Sequence, residues 1–141
     1  ASRAQLVREV ILPALEAGRA VLSDRFHDST TVYQGVARRL PTGRVAAINN
    51  FAIDGCLPDI TFLLDMNAQE AFARLGVRGR PADRMESEPL AFYEAVREGY
   101  LRAAAAEPGR FCILDAARPE DALAVAIQET LLARFHGFFS R

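Results

Sequence analysis

Residues 23–35, SDRFHDSTTVYQG, gather side-chain types that suit the handling of a phosphate-bearing ligand. Asp24 and Arg25 stand side by side one residue after the apolar run AVL, so an acid and a base emerge where a strand would end. Arginine stays ionised and offers phosphate oxygens a planar fork of donors. Hydroxyls follow at Ser29, Thr30 and Thr31, and then Tyr33-Gln34-Gly35 adds a ring and an amide. One route to phosphate chemistry is excluded by composition. All 17 basic residues are arginine, so no GxxxxGK loop with its phosphate-binding lysine occurs in the chain.

Each of these residues also has a plainer reading. Asp24 and Arg25 would serve as a structural ion pair at a strand end, and Ser29 and Thr30 would cap the helix that follows. Arg38 and Arg39 read as a solvated helix face. His27 and His136 have no partner at ligand spacing and carry no assignment, and Asn49 and Asn50 read as surface residues of a helix. Cys56 and Cys112 are isolated, without CxxC spacing, and read as buried thiols in a reducing compartment rather than a disulfide or a metal pair.

The elements that must position these groups follow from apolar spacing. Leu6, Val7, Val10, Ile11, Ala14 and Leu15 predict a helix over residues 4–17, stopped at Gly18. Residues 20–23 read as a short buried strand, 30–39 as a helix, and 44–53 as a further amphipathic helix closed by Gly55. Pro58-Asp59 opens a strand over 60–64 that is apolar on both faces, as a strand covered by helices must be. Helices are predicted over 68–75, 87–106 and 120–138, with a third strand at 111–114. Phe92, Val96 and Tyr100 recur at i, i+4, i+8 and form a core stripe. Three short strands alternating with helices mean an α/β layer fold with parallel pairing.

A length of 141 residues, half of them hydrophobic, fits one domain with a core of its own, residues 1–141. With 18 acids against 17 bases, nothing global argues for nucleic acid or a membrane surface as partner. No apolar run reaches the roughly 20 residues of a membrane-spanning helix, and no signal pattern opens the chain, so a cytoplasmic location is expected.

Five motifs in order complete the picture: SRAQLVREVILPALEAG, SDRFHDSTTVYQG, PDITFLLD, RGRPADRMESE with EAVREGYL, and ILDA before the last helix. In order and spacing they resemble bacterial thymidylate kinase, from Ser2 to about Ile127. The resemblance implies a P-loop kinase-like three-layer α/β fold with a parallel sheet, and transfer of the terminal phosphoryl of ATP to thymidine monophosphate (dTMP). By the same resemblance Arg3 would donate to the thymine carbonyl, with Thr30 and Gln34 completing the polar edge of the base. Tyr33 would pack under the deoxyribose, Arg25 would hold the acceptor's phosphate, and Asp24 would orient Mg2+ through water. Residues 74–86 would form a lid in which Arg78 reaches the transferring phosphate. Arg74 and Arg80, with Ala117 and Arg118 after the last strand, would lie on the adenine side. Asp83, Arg84 and Glu86 fit a lid as neighbours of these arginines, Arg84 holding its base.

The family's first strands, its P-loop and an acidic-Pro-Gly segment precede the helix that opens this chain. In the family's sheet the first strand lies between those matching 20–23 and 60–64. The expectation is therefore the C-terminal two-thirds of a kinase, marginal or rearranged by itself and inactive alone. The alternative is a nucleotide-binding remnant that has lost phosphoryl transfer. A different nucleotide kinase is disfavoured by Tyr33-Gln34-Gly35, and a homodimer through the helix at 4–17 is expected from the family.

Overall fold

The computed structural model of the protein describes residues 2–37, 42–76 and 88–139. Helix α1 is continuous through Ser2–Leu6, a π-helical stretch at Val7–Ile11 and a closing α segment at Leu12–Glu16. It ends because Gly18 takes φ +69°, the left-handed region that a Cβ disfavours. There the Gly18 and Arg19 amides donate back to the carbonyls of Leu15 and Ala14, satisfying groups the helix leaves open. Helix α2 begins as an α turn at His27–Thr30 and widens into a π segment at Thr31–Ala37. Helix α3, Thr42–Ile53, is stopped by Asp54 and Gly55, both at positive φ, with the Cys56 amide donating to the Ile53 carbonyl.

Strands β1, Thr61–Asp65, and β2, Phe111–Asp115, pair in parallel, with Thr61 opposite Phe111 and Asp65 opposite Asp115. Parallel neighbours require a long crossover, and the chain between them carries α4, Ala68–Gly76, and α5, Leu90–Ala106. Helix α6, Glu120–Phe139, follows β2 and is kinked at Phe135.

The predicted stripe on α5 is the heart of the packing: Phe92 and Val96 are buried against Val32 of α2, with Tyr33 and Tyr100 partly buried around them. Val7 and Ile11 of α1 and Val45 and Ile53 of α3 are buried as well, and the first residues of α1, Ser2–Leu6, pack against α3. Full burial of side chains of this size contributes roughly 1.5–3 kcal/mol each. Helices α3 and α5 both pack against α2, so the segment that carries the chemistry is held by two neighbours.

Three expectations need correction. Residues 20–23 form no strand and are exposed, Leu22 almost entirely, because a strand exists only by hydrogen bonding to a neighbour and the sheet among the described residues holds β1 and β2 alone. The sheet is not covered on both faces: Leu64 and Ile113 are half exposed. Neither Ser29 nor Thr30 caps a helix, since α2 starts after Phe26 without a side-chain cap and Ser29 lies inside it. Residues 78, 80 and 84, and Arg38 and Arg39, lie outside the described residues.

Candidate functional site

The turn that enters α2 is where the predicted residues meet. Ser23 Oγ donates to the Arg25 carbonyl at 2.8 Å, and Arg25 sits at φ +64°, a conformation that costs a non-glycine residue about 1–2 kcal/mol. Strain of this kind persists where surrounding structure imposes it and is concentrated at functional positions. The Arg25 guanidinium lies 5.3 Å from the Tyr33 ring centroid, and Asp24 projects beside it, exposed. Tyr33 in turn tilts against Phe92 at 6.0 Å and meets Tyr100 edge-on at 6.3 Å, so its ring rests on the α5 stripe. Tyr100 shares a 2.7 Å hydrogen bond with Ser29, and burial pushes its phenol above the usual tyrosine range.

Arg3 approaches the same turn from α1. Its Nη1 donates to Asn49 Oδ1 at 3.1 Å, its Nη2 to the Phe26 carbonyl at 3.3 Å, and its guanidinium lies 5.8 Å from the Phe26 ring centroid. Arg3 and Arg25 are thus two cations at one turn, Arg3 against the Phe26 ring and Arg25 against that of Tyr33. Thr30, half-buried, and Gln34, exposed, follow on α2.

Below the turn lies an ionic centre that sequence reasoning missed. Arg110, buried, donates all five of its N–H groups: Nη1 to Asp28 Oδ2 and Thr61 Oγ1, Nη2 to Asp28 Oδ1 and Glu107 Oε1, and Nε to Glu107 Oε2, each within 3.0 Å. The side chains of Asp28 and His27 are also buried, and His27 Nε2 lies 3.6 Å from Asp28 Oδ1 without a hydrogen-bond partner. Burial lowers the His27 pKa, opposed by Asp28 and reinforced by Arg110. The side-chain hydrogen bond from Arg110 likewise holds the Glu107 carboxyl below its usual range.

A second group of predicted residues gathers at the carboxyl ends of the strands. Arg74 Nη1 donates to the Ala116 carbonyl at 3.4 Å, in the turn where the Ala117 amide donates to Asp115 Oδ1 at 2.9 Å and the Arg118 amide to the Asp115 carbonyl. Arg97 pairs bidentately with Asp65 at 2.7 and 2.8 Å, and its hydrogen bond holds the Asp65 carboxyl below the ordinary range. Ligands of open parallel α/β sheets bind outside the carboxyl ends of strands. No group of three or more metal-ligating side chains occurs among the described residues, and the candidate for Mg2+ is the exposed carboxylate of Asp24. That still suits Mg2+, which keeps several waters and takes one or two carboxylates beside substrate phosphates.

The description of the thymidylate kinase family matches residues 1–127. The chain belongs to that family. It is 46% identical to the thymidylate kinase of Deinococcus radiodurans over 96% of this chain and 66% of that protein. It is 44% identical to that of Clavibacter michiganensis over 91% and 61%, and 48% identical to that of Desulfovibrio desulfuricans over 86% and 58%. The chain therefore spans less than two thirds of the length of these relatives. Family membership brings the P-loop kinase fold, to which the parallel β1–β2 pair belongs.

Asn49 is the clearest residue that the sequence concealed. Taken for a surface residue, it is 2% exposed and linked to both α1 and α2. The signal was present: Val45, Asn49 and Ile53 fall at i, i+4, i+8 on the buried face of α3, and a polar residue on an apolar stripe must find partners.

Proposed function

We propose that this chain supplies the acceptor, lid and adenine-side parts of a thymidylate kinase, which moves the terminal phosphoryl of ATP to dTMP. The observation that carries this reading is Arg25, strained and set over the Tyr33 ring, in the turn whose Phe26 carbonyl and ring engage Arg3. A nucleoside monophosphate has a phosphate at one end and a polar base at the other, and two cations at one turn, each against an aromatic ring, suit both ends.

In this reading Arg25 grips the acceptor phosphate in a fork, and Arg3 donates to a thymine carbonyl, helped by Thr30 and Gln34. Tyr33 lies under the deoxyribose, where a 2'-hydroxyl would collide. Phosphoryl transfer asks the protein for alignment and positive charge more than for covalent chemistry. Arg78, from a lid over 74–86, adds such charge at the transferring group, while Arg74, Arg80, Ala117 and Arg118 face the adenine. Asp24 would hold Mg2+ through water, and the ion would supply positive charge to the phosphates.

Among the described residues no helix is long and apolar enough to cross a membrane. With Cys56 and Cys112 both free, a cytoplasmic setting fits. Large apolar side chains exposed at Val10 and Leu15 of α1 and Ile48 and Phe51 of α3 support a homodimer, to be measured by sedimentation.

The test is calorimetric titration of dTMP into the purified chain, with the uridine and deoxycytidine monophosphates as controls and ATP turnover assayed in parallel. Selective dTMP binding that Arg25→Ala abolishes is expected. Equal affinity for all three nucleotides, unchanged in Arg25→Ala, refutes the reading. Turnover by the purified chain would overturn the expectation that it is inactive alone.

A further inference from the structure

We infer that Asn49 is a positioning residue for recognition of the base, a role that rests on the acceptor-site reading above. Every polar atom of its amide is engaged. Oδ1 accepts from Arg3 Nη1 at 3.1 Å, and Nδ2 donates to the His27 carbonyl at 3.2 Å and to Thr31 Oγ1 at 2.8 Å. The alternative orientation of the amide is excluded, because it would set carbonyl against carbonyl at His27 and donor against donor at Arg3. Asn49 therefore has a fixed polarity. It presents an acceptor to α1 and donors to α2, from a site on α3 that is closed to water.

The two elements it joins are those that carry the base contacts. Arg3 comes from α1, while Thr30, Tyr33 and Gln34 lie on α2, the helix that also carries His27 and Thr31. With Nη1 held by Asn49 and Nη2 by the Phe26 carbonyl, one proton on each Nη and the Nε proton remain for a ligand, in a fork whose direction is set. A fixed donor fork discriminates a thymine carbonyl from the amino group that cytosine carries at the same edge. A mobile fork does not, because a swinging arginine finds other acceptors on either base.

The experiment measures the ratio of dissociation constants, deoxycytidine monophosphate over dTMP, in the full chain. Asn49→Ala removes all three hydrogen bonds, and Asn49→Ser keeps a hydroxyl too short to reach Arg3. Asn49→Asp retains the acceptor for Arg3. The loss of one hydrogen bond to a charged group lowers the ratio about tenfold in the Ala and Ser variants. The Asp variant sets an oxygen against the His27 carbonyl and so weakens both nucleotides, but its ratio stays within about threefold of wild type, since Arg3 keeps its anchor.

A merely structural residue would weaken both nucleotides in parallel and leave the ratio unchanged. An unchanged ratio in the Ala variant overturns the role. If that variant does not unfold cooperatively, an unchanged ratio in the Ser variant does so. A wild-type chain without selectivity refutes the acceptor reading itself, whereas selectivity that survives both variants refutes only the part given to Asn49.

Discussion

Replacing Arg110 by methionine keeps most of the stem's volume and removes the charge, and the structure sets what that should cost. Asp28 is left with an 11% exposed side chain and no cation, while Glu107, about half exposed, is rehydrated. Stranding a buried charge costs about 3–5 kcal/mol, and losing a partly solvated pair adds at most about 1 kcal/mol. A loss of about 4 kcal/mol is a large share of the roughly 5–15 kcal/mol that holds a domain folded. His27 makes the loss depend on pH. With Arg110 gone, one of the influences lowering its pKa disappears while Asp28 at 3.6 Å remains, so mild acid puts a replacement cation beside the carboxylate. Urea unfolding of wild type, Arg110→Met, Asp28→Asn and the double variant, at about pH 7.5 and 5.5, measures both effects. The single Arg110 variant should lose most at the higher pH, and the double variant should recover a part of the loss, because no charge is then stranded. Additive single effects, or a cost below about 1 kcal/mol for Arg110→Met, would refute the reasoning.

Three further outcomes are expected. His27 is held below its ordinary value of about 6.5, so its stabilising contribution is complete above that value and falls as pH drops through it towards the folded-state value; His27→Phe should flatten the wild-type decline in urea midpoint between about pH 7 and 5, and equal slopes would count against this. Arg25→Gly should be more stable than Arg25→Ala by about 1 kcal/mol, since only alanine keeps the Cβ strained at φ +64°; matching thermal midpoints would deny the strain. Asp65 is held low by Arg97, so its contribution is present above the unfolded carboxyl value and is lost as pH falls through the folded one; in Arg97→Gln the Asp65 carboxyl, followed by NMR titration, should move up, and an unmoved curve would argue against the pair.

What could be read from sequence was local. Gly18 and Gly55 stop helices because their backbone freedom is written in the residue itself, and Phe92, Val96 and Tyr100 announced a packed face by spacing alone. The SDR motif and Tyr33 were legible as a cluster, since only a few residues separate them. Long-range partners were not. Asp28 and Arg110 lie 82 residues apart, and no local pattern in the chain connects them. Residues 20–23 have the composition of a strand, but strand formation is a property of the neighbour as much as of the segment. Asn49 was misread for the opposite reason: its chemistry suggested solvent, and its position on the Val45–Ile53 stripe outweighed that.

The π-helical stretch at Thr31–Ala37 bears on which changes in chain length this region can absorb. A π turn closes its hydrogen bonds one residue later than an α turn, so it houses a residue that an α-helix of the same rise has no room for. Deleting one residue there would let the helix tighten to α geometry, so the elements beyond the deletion would keep their phase about the axis. Only residues of the segment itself would change the way they face, buried Gly35 and the Tyr33 ring on the α5 stripe among them. A single-residue deletion, disruptive in an ordinary α-helix, should therefore leave the flanking elements in place here and shift only the aromatic platform.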